Sequence, residues 1–287
     1  MVADRTAETV ALLVGSSPLP NYLAVVMLKP KRVVLLYTSD TTRVKNRLKE
    51  ALEEQDPALG TPGTIIEQPV RDPTSAVAMR DACRGMLNGA HLHYSGGTKV
   101  MAANARMIFR DLGGHDRDAS YLDERAGRLR FDDGYYELLD GRDLQLDVSR
   151  ALQLHGVKWT ARTWKDGEPT ATDAEAMAQG ALERPNLAGD LYDAFRWSDE
   201  RWKQLRNTAQ PVPPELRLST LTIGGPGWSN SRAKHWCKFL AGEWLEEWVR
   251  VKIQTIDPSA SVETGVEGER QDRKFEVDVV CARGHRL

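Results

Sequence analysis

"HLHYSGGTKVMAANA", residues 91–105, decides the fold. An apolar run stops at Gly96 and Gly97, then Thr98 and Lys99 open a segment with small residues at helical spacing. The pattern predicts a buried strand, a tight turn and a helix. Two readings of the turn stand side by side. It is a plain strand–helix joint, or it is built to hold an anion. For the second, first-turn N–H groups point outward and the helix dipole favours negative charge. Glycines let the backbone approach closely. Ser95 and Thr98 add hydroxyls, and Lys99 a cation. The dipole contributes only roughly 0.3–1 kcal/mol, so several donors must act together. The turn does not match the Walker pattern, and "GSSPLPN" (15–21) is not a G-x-G-x-x-G dinucleotide fingerprint. His91 and His93 read as structural or rim residues, without metal-ligand partners.

The same alternation extends outward. "TVALLVG" (9–15), "KRVVLLYTSD" (31–40) and "GTIIEQPV" (63–70) read as strands. Helices follow the last two, the first capped by Asp40 and carrying Val44, Leu48 and Leu52, the second at 74–87 with Met79, Cys83 and Met86 or Leu87 on one side. Strands alternating with helices predict an α/β, mostly parallel, Rossmann-like sheet with helices on both faces. Residues 119–139 change character and predict short antiparallel edge strands. Beyond residue 140 the strand signal fades. "DVSRALQLHGV" (147–157) predicts a short helix closed by Gly156, and 166–210 is polar and helix-prone, with Trp197 and Trp202. "QPVPPELRL" (210–218) reads as a linker. Trp236, Leu240, Trp244 and Trp248 recur four apart on one helix, a stripe best explained by core packing. The expected organisation is a sensing domain over 1–140, a helical connecting region over 141–222, and the start of a further α/β domain over 223–287.

Composition narrows the function classes. Acids and bases nearly balance, 41 against 39, for a formal net charge of −2, which argues against a general nucleic-acid coat. No apolar run approaches the roughly 20 residues of a membrane span. The N-terminus lacks a secretory apolar segment. Cys83, Cys237 and Cys281 are odd in number and scattered, which suits neither a disulfide framework nor a zinc site and points to a reducing cytoplasm.

"GSSPLPNYLAV" (15–25) follows the first strand and ends at the same sheet edge as the Gly-Gly-Thr-Lys turn. Ser16, Ser17 and Asn21 sit there in a proline-stiffened frame, so the two loops together read as a binding rim. This pair of loops resembles the CARF family, the Rossmann-like sensors of type III CRISPR systems. "LQLHGV", "KFLAGEWLEEWV" and "KFEVDVV" resemble the connecting region and nuclease start of the members that carry a PD-(D/E)xK nuclease.

The resemblance implies a homodimer whose ligand is a cyclic oligoadenylate, tetra-adenylate favoured, held by Ser16, Ser17, Asn21 and the segment Ser95, Gly96, Gly97, Thr98 and Lys99. It implies that binding activates an endonuclease against single-stranded RNA or DNA, with Mg²⁺ or Mn²⁺ as cofactor. Glu246 would be its helix acid and Asp278 its strand acid, both catalytic and metal-binding. Such hard cations take carboxylate oxygens. The family pattern next places an acid-x-Lys strand, and the sequence ends at "GHRL" where that strand should begin; a longer reading frame is expected to supply it. Plainer readings of the same residues remain open. Glu246 beside Glu243 and Glu247 also fits a solvated helix face, and Glu276 with Asp278 the exposed side of an edge strand. His235 and His285 carry no role. The competing functions are a binding-only sensor or sink, a CARF transcription regulator, and cleavage of the ligand inside the sensing site.

Overall fold

The computed structural model describes residues 5–139, 146–165, 167–196, 204–205, 207–270 and 272–284. Trp197, Trp202 and His285 lie outside the described residues. The chain divides into two compact units, residues 1–158 with 282–287, and residues 159–281.

The first unit is built on a seven-stranded sheet in the order β3-β2-β1-β4-β5-β6-β7. Its strands are β1 (Thr9–Leu13), β2 (Arg32–Tyr37), β3 (Ile65–Pro69), β4 (His91–His93), β5 (Ala119–Asp123), β6 (Arg128–Phe131) and β7 (Tyr136–Leu138). The first five pair in parallel, and β6 and β7 are antiparallel additions. The unit is therefore a mixed α/β, Rossmann-like fold with a mostly parallel sheet. Strand β1 is apolar throughout because both its faces are covered. Val10 and Leu12 join one core with residues of α1 (Leu19–Leu28), α2 (Thr42–Gln55) and α5 (Val148–Leu154). Ala11 and Leu13 join the other, with α3 (Ala76–Cys83) and α4 (Lys99–Asp111).

The local chemistry of the helix ends differs from expectation at one point. Asp40 does not cap α2: a 3-10 turn over Ser39–Thr41 intervenes, closed by a reciprocal capping box between Thr38 and Thr41, and Asp40 sits exposed inside that turn. Gly156 does close α5, at a φ of 69° that a side chain would resist.

The second unit contains α6 (Ala171–Glu183), α7 (Leu187–Phe195), α8 (Asn230–Lys238) and α9 (Trp244–Ile256). Beside them, β8 (Lys158–Thr160), β11 (Ser261–Arg270) and β12 (Arg273–Ala282) form a sheet in the order β12-β11-β8. Met177 of α6 and Leu191 and Phe195 of α7 share one core with Trp236, Phe239, Leu240 and Trp244, and Trp248 packs against it. The tryptophan stripe is thus core. The helix that carries it is broken, however, by a π turn over Phe239–Glu243, with Gly242 at φ 139°. The stretch 210–218 is not a free linker. It holds the short strand β9 (Gln210–Pro211), paired with β10 (Thr222–Ile223), and it buries Val212, Leu216 and Leu218 in the same core, since apolar residues at every second or fourth position anchor it between the prolines. Among the described residues no helix is long and apolar enough to cross a membrane.

Candidate functional site

The order β3-β2-β1-β4-β5 reverses direction between β1 and β4. Loops after those two strands diverge to opposite faces and leave a crevice at their carboxyl ends, where ligands of open α/β sheets collect. The two loops picked out in the sequence are these two. They meet backbone to backbone. A Cβ on Gly15 would lie 2.6 Å from the amide nitrogen of Gly97, and one on Gly96 would run into the Leu13 carbonyl oxygen. Gly97 has a φ of 73°, the left-handed region that costs glycine nothing. Glycine is thus required at 15 and 96 by space and at 97 by conformation.

The residues of this rim take different parts. Lys99 is exposed at the first position of α4, and among the described residues its ammonium pairs with no acid. Thr98 is the N-cap, its hydroxyl accepting from the Met101 N–H at 3.2 Å. Helix geometry leaves the amides of Lys99 and Val100 without an intrahelical acceptor. Ser16 is exposed and Ser17 half-buried, and among the described residues neither hydroxyl has a partner.

Two of the expected contacts face inward. Asn21 is fully buried, its amide nitrogen donating to the Leu13 carbonyl at 2.9 Å, so it braces the two loops from beneath. Its Oδ1 is buried without a partner among the described residues. The Ser95 hydroxyl accepts from the Leu122 N–H of β5. Asn21 lies in the first turn of α1 and Ser95 two residues past β4; both are legible as polar but not as pointing inward, which is why the sequence placed them in the binding rim.

Sequence reasoning missed the bracing around the turn. Tyr94 donates its hydroxyl to Asp132, which also binds Arg106 of α4, and Arg106 in turn holds Asp116. Burial and the Asp132 carboxylate push the Tyr94 phenol well above its ordinary range. Beneath the sheet end, His91 Nε2 lies 2.7 Å and His93 Nδ1 3.1 Å from the Ser120 hydroxyl. Burial pushes both imidazoles down to about 3, so both are neutral. A cavity of about 380 Å³, lined by Glu8, Asn88, His91 and His115 among others, lies at the opposite, amino ends of β1 and β4.

In the second unit, Glu243, the N-cap of α9, and Glu246 lie three residues and so about one turn apart, and one guanidinium takes both. Arg162 Nη2 lies 3.0 Å from Glu243 Oε1 and Nη1 3.0 Å from Glu246 Oε2. Lys238 approaches Glu243 at 3.5 Å. Burial pushes the Glu246 carboxyl above the usual glutamate range; Arg162 opposes this, while Glu243 and Asp278 reinforce it. Asp278 and Glu276 are both exposed on β12, two residues apart and so on one face. The acids as placed do not form a metal cage: Arg162 holds the oxygens of two of them, and among the described residues no group of three or more His, Cys, Asp or Glu could hold a metal ion. Arg162 carried no signal in the sequence. Glu243 was visible only as a neighbour three residues before Glu246.

No family model and no curated protein matches the sequence. Solved structures do. Can2 from Sulfobacillus thermosulfidooxidans, in complex with cyclic tetra-adenylate, is similar with a TM-score of 0.66 at 22% identity, over 97% of this chain and 77% of Can2. Protein VC1899 from Vibrio cholerae is similar with a TM-score of 0.67 at 12% identity, over 96% of this chain and 77% of that protein. At such identities the likeness is one of fold.

Proposed function

We propose that the first unit is a CARF-type sensor of cyclic oligoadenylate in type III CRISPR defence, acting as a homodimer in the cytoplasm. The observation that carries this is the meeting of the two glycine-bearing loops at the reversal of strand order, with Lys99 and the free amides of α4 on the open side. A ring of phosphodiesters supplies the negative charge such a rim suits, and its riboses offer hydroxyls to Ser16 and Ser17. The complex of Can2 with cyclic tetra-adenylate supports this choice of ligand. The neutral His91 and His93 below add no charge, so Lys99 and the helix end provide the attraction.

We further read the second unit as the start of a PD-(D/E)xK nuclease acting on single-stranded RNA or DNA, with Glu246 and Asp278 as its acids. A binding-only sensor is the second reading, and one observation favours it: Arg162 already engages one oxygen each of Glu243 and Glu246.

Calorimetry with cyclic tetra- and hexa-adenylate tests the sensor. One of the rings should bind, and Lys99→Ala should weaken it roughly ten- to hundredfold, the scale of a charge-assisted hydrogen bond of about 1.5–3 kcal/mol. No binding of either ring, or an unchanged Kd in the variant, would remove the reading. A cleavage assay with Mn²⁺, with and without the ring and with Asp278→Ala as control, separates the nuclease from the binding-only sensor.

A further inference from the structure

We propose that the exposed face of α8 is a docking surface for the phosphodiester backbone of a single-stranded nucleic acid, with Arg232 as its anchor. The inference rests on reading the second unit as part of a nuclease, and it names where on that unit the strand is held.

The helix bears Arg232, Lys234, His235 and Lys238 and no acid. With 3.6 residues per turn these four fall within one half of its circumference, while Ala233, Trp236 and Cys237 are buried on the other. Two carboxylates from neighbouring segments reach the basic face: Glu168 stands 2.7 Å from His235 Nδ1, and Glu243 3.5 Å from Lys238. Among the described residues no acid pairs with Arg232, which is half-buried. Its guanidinium is held in place all the same. It lies over the Trp228 ring, 4.2 Å from the centroid, and against Gly167, where a Cβ would sit 3.1 Å from Cζ. The Arg232 N–H donates to the Ser229 hydroxyl at 3.2 Å, which fixes the backbone the side chain leaves. Of the three guanidinium nitrogens only Nε is sealed off without a partner. The two terminal ones are open.

Charge and geometry decide what such a face takes. A guanidinium lying over an aromatic ring gives the ring its face and keeps its in-plane N–H donors for another partner. That fork matches two oxygens of one phosphate. A side chain already ordered by packing loses little further freedom when the anion arrives. Lys234, exposed on the same side, adds a point charge. The cations from Arg232 to Lys238 span about 9 Å of helix rise, which suits a chain of phosphates better than one small anion. The formal net charge of −2 argues against a general coat and leaves a local strip of this sign possible.

Fluorescence anisotropy of labelled single-stranded RNA and DNA, with the full 287-residue chain in EDTA so that nothing is cut, tests this. The wild type should bind at least one of the two strands, more weakly as salt rises. Arg232→Gln should weaken binding about tenfold or more and reduce the salt slope by about 0.7, the share of one phosphate contact on a single strand. Arg232→Lys keeps the charge without the fork, and should weaken binding by a smaller factor with the slope unchanged. If Arg232→Gln fails to fold, judged by its melting curve, the lysine variant decides. Lys31→Gln removes one exposed positive charge from the first unit and should leave binding as it was. Unchanged binding by the Arg232 variants, or an equal loss in Lys31→Gln, overturns the docking surface and leaves the nuclease reading to the Mn²⁺ cleavage assay. Polyglutamate that displaces the strand as well as unlabelled strand does marks a surface for acidic protein and overturns it too. So does a wild type that binds neither strand.

Discussion

His93 is fully buried and its Nε2 has no partner among the described residues, while its other nitrogen shares the Ser120 hydroxyl with His91. Such a pair stays neutral when folded, at about 3 for each ring, yet in the unfolded chain each titrates near 6.5. Between those values the unfolded state binds more protons, so stability falls as pH drops from about 6.5 towards 3. Each histidine contributes at most about 1.4 kcal/mol per pH unit to that slope. Denaturant melts between pH 6.5 and 4 should therefore show a shallower decline for His93→Gln than for wild type, whatever the variant's starting stability. Parallel curves would mean that the imidazole is hydrated and charged. Residue roles at this scale were only half legible in the sequence. Gly96, Gly97 and Lys99 announced a turn with a cation after it, because small residues and charge are visible in the letters. The inward faces of Asn21 and Ser95 were not, since loop direction depends on which carbonyl or amide lies underneath.

The elements of the first unit were readable because β1 and β2, covered on both faces, each carry a run of four apolar residues, and helices between strands carry one apolar side. The second unit was harder. β11, with the sequence "SVETGVEGER", alternates buried and exposed residues but includes two glycines and four charges, and so read as nothing in particular. The helix holding the tryptophans was legible as one amphipathic rod, because a π turn adds a residue without disturbing the four-residue recurrence of Trp236, Leu240 and Trp244. Gly242 and Gly189 separate conformation from space. Neither has an atom within 4 Å of an added Cβ, but Gly242 sits at φ 139° and Gly189 lies in α7 with ordinary helical backbone. Gly242→Ala should cost about 1–3 kcal/mol through strain alone, whereas Gly189→Ala should stabilise by about 0.5–1 kcal/mol. Urea denaturation of the two variants checks both, and a neutral Gly242→Ala would show that the break in the helix relaxes freely.

At the scale of the molecule the chain divides into two compact units, and in the second of them α6 and α7, expected to connect, share a core with the helices beyond them. A ligand that binds only the folded first unit should raise stability by about 2.7 kcal/mol at a hundredfold excess over its Kd. Hydrogen exchange locates the effect: with cyclic tetra-adenylate present, amides at 15–18 and 94–100 should slow most, and uniform slowing or none would place the ligand elsewhere. The turn at 94–97 is tied on both flanks, to β1 through Gly96 and Asn21, and to the antiparallel arm through Ser95–Leu122 and Tyr94–Asp132. Those four residues are therefore held between β1 and the antiparallel arm, and among the described residues the side-chain hydrogen bonds from the glycine turn to that arm come down to two threads, one serine oxygen to β5 and one tyrosine hydroxyl to the residue after β6.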